Sequence, residues 1–229
     1  MLKIKLEPGQ NIWITSDTHY NHKNICRGVT NWRTQDGEVP IDSTRPFETL
    51  EDMNRTLIDN INNNVGQDDI LIHLGDWSFG GFESIQAFRE RIYCNNIHLI
   101  LGNHDHHIDR NREGCQRHFL SVDTLTQFEL RYEDRNKENV IKTFTICHYP
   151  ISSWYGMNDG VIHLHGHVHL SNSKKFGRGK KMDVGVDGHP EFRPYNIVDE
   201  ILPLMKNREI KSDMLFDHHE ERFVGQDGR

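Results

Sequence analysis

The chain is poor in several features that would place it in common classes. It has only four cysteines, Cys26, Cys94, Cys115 and Cys147, scattered and with no C-x-x-C pair. That spacing argues against a disulfide framework and against a Cys-rich structural zinc site, so the thiols read as reduced. No apolar run approaches the ~20 residues that span a bilayer. The opening stretch, MLKIKLEPGQ, lacks the apolar centre of a secretion signal, and the expectation is a soluble, cytoplasmic protein with no membrane partner. A basic excess is missing too. Against 27 Lys and Arg stand 34 Asp and Glu, a formal charge of −7. Duplex nucleic-acid binders carry a basic face, so the charge argues against a duplex partner.

What the chain does have is histidine, 16 in 229 residues, and regular apolar patterning. The length suits one large domain, expected over 1–207, followed by a charged tail or extension over 208–229. NIWITSD (11–17), DILIHLGD (69–76) and NIHLILGNHD (96–105) read as buried strands ending in polar residues. Between them, residues 45–65 place Phe47, Leu50, Met53, Leu57, Ile58 and Ile61 at helical spacing, with Pro46 near the start. Residues 82–92 repeat that pattern, and 22–28 reads as a short helix ended by Gly28. Strand, helix, strand, helix, strand implies βαβ units and a largely parallel sheet. Later stretches, 121–130, 139–148, 160–169 and 180–187, read as further strands, with a helix over 195–207. No repeat or linker divides the chain.

The chemistry-bearing residues fall at strand ends. SDTH (16–19), LGD (74–76) and LGNHD (101–105) close the three early strands. In open α/β sheets, sites gather beyond the carboxyl ends of the strands. Asp17, His19, Asp76, Asn103 and His104 are therefore expected to converge, joined by His148 of ICHYP and by His167 and His169 of HLHGHVH. Imidazole and carboxylate together suit Zn, Fe, Ni or Mn. So many donors exceed one four-coordinate ion and suit a pair about 3.5–4 Å apart bridged by a carboxylate.

The ordered series D-x-H (17–19), G-D (75–76), G-N-H-D (102–105), His148 and G-H-x-H (166–169) resembles the calcineurin-like metallophosphoesterase superfamily. SDTHYNHKNI, RPF, EDMNRTLIDN and HLGDWSFG are similar to a branch of small bacterial and phage phosphoesterases. The resemblance implies a single α/β domain, a two-sheet sandwich flanked by helices. It implies two divalent metal ions, manganese being the first expectation. Asp17, His19 and His169 would hold one, Asn103, His148 and His167 the other, and Asp76 would bridge. It further implies that a hydroxide between the metals attacks phosphorus while His104 assists the leaving group. The substrate is then a phosphoester, with a nucleotide or cyclic phosphate in view. The stretch Gly75–Gly81 replaces the second Asp and the Arg of the protein-phosphatase pattern G-D-x-x-D-R-G with Phe79 and Gly80. That points away from protein phosphatases and towards a phosphodiesterase. A phosphomonoesterase of small metabolites and a non-catalytic scaffold of the same fold are the alternatives.

Further residues have both a bland and a functional reading. Asp17 and Asp76 could be helix N-caps. His163 and His165 lie inside their strand and read as support, with His165 near enough to be a substrate contact. His73 could orient a ligand or simply be buried. His22, Arg27 and Arg45 are candidate substrate contacts, because guanidinium binds phosphate in a bidentate way. Trp13, Trp77, Phe79 and Trp154 read as core or rim packing. The sequence leaves the oligomeric state open.

Overall fold

Short strands with apolar residues at alternate positions present two faces, and here both faces find cover. The structure is a computed structural model and describes residues 1–210. In chain order the strands are β1 (Leu2–Lys5), β2 (Ile12–Thr15), β3 (Ile70–His73), β4 (Asn96–Ile100), β5 (Ser121–Asp123), β6 (Leu125–Glu133), β7 (Asn139–Cys147), β8 (Ile162–His165), β9 (Lys181–Asp183) and β10 (Tyr195–Asn196). They form two five-stranded sheets, ordered β10-β2-β3-β4-β5 and β1-β6-β7-β8-β9. In the first sheet β2 to β5 run parallel and β10 is antiparallel to β2. In the second, only the β6–β7 pair is antiparallel.

The sheets face each other across one apolar cluster. Ile12, Ile14, Ile70 and Ile72 of the first meet Phe128, Leu130, Phe144, Ile146 and Leu164 of the second. The alternate residues Leu71, Ile97 and Leu99 point outward, under Ile58 and Ile61 of helix α1 (Leu50–Asn64) and Ile85 and Phe88 of helix α2 (Gly81–Arg91). Every residue of β3 is consequently buried. This is the two-sheet α/β architecture expected from the sequence.

Several boundaries differ. Helix α1 begins at Leu50 rather than near Pro46, because Thr49 is its N-cap, accepting the Asp52 N–H at 3.1 Å. Residues before it are held extended against 25–28, with Arg45 N donating to Ile25 O at 2.7 Å and Gly28 N to Phe47 O at 2.9 Å. The same pairing breaks the helix expected over 22–28 into two 3₁₀ turns, Lys23–Ile25 and Arg27–Val29. The strand read over 121–130 divides at Thr124, where the chain passes from one sheet to the other. The helix expected over 195–207 opens as β10 and widens into a π turn, Ile197–Ile201, before the short helix Leu202–Met205. Asn196 caps that turn, accepting from Val198 N and Asp199 N. The β1 strand has no counterpart in the sequence reading. The charged tail, apart from residues 208–210, lies outside the described residues. No helix among the described residues is long and apolar enough to cross a membrane.

Candidate metal centre

Parallel strands bring their C-terminal ends to one edge, and there the chain turns sharply. Asp17, His19, Asp76, His167 and His169 all have left-handed backbones, with φ between 46° and 74°. Non-glycine residues adopt this region at a cost and cluster at functional sites. The two aspartates are therefore not helix N-caps, whose backbone is extended. The first two loops are zipped together, Asp17 N donating to Gly75 O and His19 N to Asp76 O, each at 2.9 Å. Gly102 and Gly166 let these loops touch: a Cβ on Gly102 would overlap Asp76, and one on Gly166 would overlap Ser16 and Asp17.

The seven expected metal ligands lie together. Donor atoms of Asp17, His19 and His169 lie within 4.8 Å of one another, as do those of Asp17, Asp76 and His148. His19 Nε2 stands 3.1 Å from His169 Nε2, and His169 Nε2 is 3.7 Å from Asp17 Oδ1. On the other side Asn103 Oδ1 is 3.1 Å from His148 Nε2 and 2.8 Å from His167 Nδ1. Asp76 lies between the two groups: its Oδ2 is 3.4 Å from His19 Nε2 and 3.5 Å from His148 Nε2. Its other oxygen accepts the backbone N–H of His104 at 2.8 Å. The His104 ring is half-buried, 5.3 Å from the His19 ring.

This donor set fits cations. His148 donates from Nδ1 to Leu74 O at 2.7 Å, so the lone pair of Nε2 faces the oxygens of Asp76 and Asn103. Burial lowers the His148 pKa to about 4, which keeps the ring neutral, so its approach to Asp76 is not an ion pair. His169 likewise donates from Nδ1 to Asp187 Oδ2 at 2.7 Å and turns Nε2 towards the Nε2 of His19. Among the described residues, the Nδ1 of His19 is buried with no hydrogen-bond partner. Burial raises the Asp17 carboxyl to about 8, with Asp183 and Asp76 adding to the shift against the pull of His169. A neutral His148 nitrogen facing two oxygens, beside a carboxyl whose ionisation burial disfavours, is an arrangement that divalent ions relieve.

The surrounding residues correct several expectations. Arg45, expected at substrate, is buried at 2% exposure. Its guanidinium clasps Asp187 at 2.8 and 2.9 Å and donates to the carbonyls of Asp17 and Thr18 at 2.6 and 2.8 Å. It braces a ligand loop from beneath. Arg27 spends its guanidinium on Ile41 O, Thr44 O and Thr44 Oγ1, closing the 27–44 loop. His165 is also 2% exposed and donates to Gly166 O, which removes it from substrate reach. His163 is buried between Thr145 O and Ile151 N, a support as expected. Of the four substrate candidates, only His22 stands beside His104, with ring centroids 6.4 Å apart.

His73 resolves to both of its readings: it is buried and it orients. Thr18 Oγ1 donates to Trp77 O at 2.7 Å, so His73 Nε2 donates to that hydroxyl at 2.9 Å while its Nδ1 accepts from Gly75 N. Burial keeps this ring neutral, its pKa down to about 3. Trp77 and Trp154 pack inside as expected, whereas Phe79 lies on the rim at 41% exposure.

The sequence reading did not single out Asp105 or Asp187. Asp105 is buried and accepts the N–H groups of Asp76, Trp77 and Gly102 at 2.7–3.0 Å, so it fixes the Asp76 turn. Its place directly after G-N-H was the available signal. Asp187 follows the GV pair after the ninth strand, and nothing local marks it, because its partners Arg45 and His169 are distant in sequence.

Comparison with known proteins agrees with this geometry. The family model described as calcineurin-like phosphoesterase matches residues 10–224. An uncharacterised protein of Methanocaldococcus jannaschii, MJ1445, is 30% identical over 167 residues, 72% of this chain and 73% of that protein. A crystal structure of a protein of unknown function, AQ665 from Aquifex aeolicus, superposes with a TM-score of 0.52 at 19% identity, covering 82% of this chain and 96% of the other. That last likeness speaks to the fold.

Proposed function

The chain belongs to the calcineurin-like phosphoesterase family, and on that premise we propose that this phosphoesterase hydrolyses phosphodiesters with two divalent cations, manganese first among them. The observation that carries the proposal is the position of Asp76 Oδ2, 3.4 Å from His19 Nε2 and 3.5 Å from His148 Nε2. One carboxylate oxygen shared between two donor groups is what a bridged pair requires. Asp17, His19 and His169 would hold one ion, Asn103, His148 and His167 the other, with Asp76 common to both. Bound there, divalent ions neutralise phosphoryl oxygens and supply a water of lowered pKa.

The protein's own groups do the rest. Water oxygen bonds to phosphorus as the bond from phosphorus to the leaving oxygen breaks, and His104 gives a proton to that oxygen. The backbone N–H of His104 on Asp76 Oδ1 fixes the distance between acid and bridge. Among the described residues, the His104 ring packs against the rings of His19, His22 and Phe79, and its charge is felt by the Asp76 carboxylate. Packing against those rings then orients it. The diester preference is supported by the two arginines. Both Arg27 and Arg45 are committed to protein oxygens, so neither meets the second negative charge of a monoester.

A hydrolysis panel on the metal-free and reconstituted protein tests this. Bis(4-nitrophenyl) phosphate should be cleaved with Mn²⁺ and not after chelation, and faster than 4-nitrophenyl phosphate. A preference for the monoester would replace the diester reading. No hydrolysis of either with Mn²⁺, Fe²⁺, Zn²⁺ or Ni²⁺ would overturn it.

A further inference from the structure

Two large aromatic side chains stand exposed on the side of the site where His104 lies. Trp32 is 40% exposed and Phe79 41%, although the fold buries Tyr20, Trp77, Phe88 and Phe119 nearby. A single exposed aromatic is ordinary. These two instead share one neighbour. The His22 ring lies 4.1 Å from Phe79, edge to face, and 5.8 Å from Trp32. Phe79 and His22 are in turn 5.7 and 6.4 Å from the His104 ring. Three rings in a row thus begin beside the group that serves the leaving oxygen.

The row is built in advance of any ligand. Phe79 N donates to Tyr20 O at 2.7 Å, which ties its loop to the first ligand loop. His22 N donates to His19 O at 3.0 Å, and its Nδ1 accepts from Ile25 N at 3.1 Å. Trp32 N donates to Thr30 Oγ1 at 3.1 Å, and the adjacent Arg33 spends its guanidinium on Thr30 O and Trp32 O. These contacts hold the backbone beneath each ring, while Trp32 and Phe79 stay exposed.

We infer that Trp32, His22 and Phe79 form a stacking platform for a planar ring carried by the leaving group, so that the enzyme selects diesters whose departing alcohol is a nucleoside or an aryl group. The inference rests on the phosphodiesterase reading and on His104 as the acid. Its physical basis is that stacking on an aromatic face is strong and tolerant of the identity of the base, since every base presents a π-face. No charged group belongs to the row, so the platform discriminates ring from non-ring rather than one base from another.

The experiment compares two diesters with the same leaving oxygen: thymidylyl-(3′→5′)-thymidine and its counterpart lacking the base on the leaving side. Bis(4-nitrophenyl) phosphate is the aryl arm. With Mn²⁺ bound, Phe79→Ala and Trp32→Ala are expected to reduce kcat/KM for at least one ring-bearing diester about tenfold more than for the abasic one. The arm that suffers identifies nucleoside or aryl as the source of the ring. Equal losses on all three, or no loss on any, would overturn the platform. Binding supplies a second readout independent of turnover. Thymidine monophosphate should quench tryptophan fluorescence in the wild type, ribose 5-phosphate should not, and the quenching should vanish in Trp32→Phe. If the wild type cleaves no diester but this pattern is seen, the diesterase reading falls while the platform stands; without the pattern, the platform falls as well.

Discussion

Arg45, buried, and Asp187, half-buried, form a bidentate pair, Nε to Oδ1 at 2.8 Å and a terminal guanidinium nitrogen to Oδ2 at 2.9 Å, joining residues 142 positions apart. The same Asp187 oxygen accepts from His169 Nδ1 at 2.7 Å. A carboxylate behind a ligating imidazole fixes its tautomer and its direction, and its loss typically costs about 10–100-fold in metal affinity. Arg45→Lys keeps the charge and loses the fork. We expect it, and Asp187→Asn, to weaken Mn²⁺ binding by about tenfold or more. Calorimetric titration of the metal-free protein measures this, and wild-type affinity in both variants would contradict the bracing role.

His104 donates its backbone N–H to Asp76 Oδ1, and its side chain is not among the proposed metal ligands. His104→Ala should therefore retain both metals while turnover falls ~10²-fold or more, the scale for losing a general acid. Elemental analysis beside the diester assay separates the two effects. Wild-type turnover would remove His104 from the chemistry.

Asp76 is different in kind, because one oxygen faces both donor groups. Asp76→Asn should lower the number of ions bound per chain at a fixed low Mn²⁺ concentration. Two ions retained at full occupancy would argue against the bridge.

Away from the site, Glu200 offers a pH test. It accepts from Arg193 at 2.8 and 3.0 Å and from Asn196 N at 2.7 Å. Burial pushes its pKa upward, but these hydrogen bonds and the Arg193 charge outweigh burial and hold it below the ordinary glutamate value of 4.5. A depressed carboxyl pKa stabilises the fold above the unfolded value and loses that contribution as pH falls through the folded value. Glu200→Gln should thus cost on the order of 1 kcal/mol at pH 7, the upper range for partly exposed pairs. The difference from wild type should shrink as pH drops below about 4.5. Thermal melts across pH 3–8 would show it, and a pH-independent difference would refute the assignment.

A core test addresses the sheet that carries the first three loops. Leu71 is fully buried between β3 and the helices. Leu71→Ala should cost about 2–5 kcal/mol, read from urea unfolding.

What the sequence disclosed follows from how locally each feature is encoded. Ile12, Ile14, Ile70 and Ile72 alternate within short strands, so their burial is written within a few residues. The motif positions 17, 19, 76, 103, 104, 148, 167 and 169 each stand where an apolar run stops, and parallel strands carry all such ends to one edge. Arg45 illustrates the opposite case. Its neighbours Pro46 and Phe47 suggest a helix start and its guanidinium a substrate contact, whereas its partners are Asp187 and the backbone of Asp17 and Thr18. Nothing within ten residues of it encodes that. HLHGHVH, by contrast, divides legibly at Gly166 into His163 and His165 within the strand and His167 and His169 beyond it. Gly166 and the left-handed turns at His167 and His169 end the alternation, leaving His163 and His165 in the sandwich.

The donor set is also divided between the two sheets. Asp17, His19, Asp76 and Asn103 follow strands of the first, and His148, His167 and His169 follow strands of the second. Ions at this seam would act as rivets across the sandwich, since parting the sheets means breaking the coordination. Any ligand that binds only the folded chain raises its stability by mass action, about 2.7 kcal/mol at a hundredfold excess over Kd. The melting temperature should accordingly climb with free Mn²⁺, and the catalytic centre would double as the clasp that keeps the two halves of the fold shut.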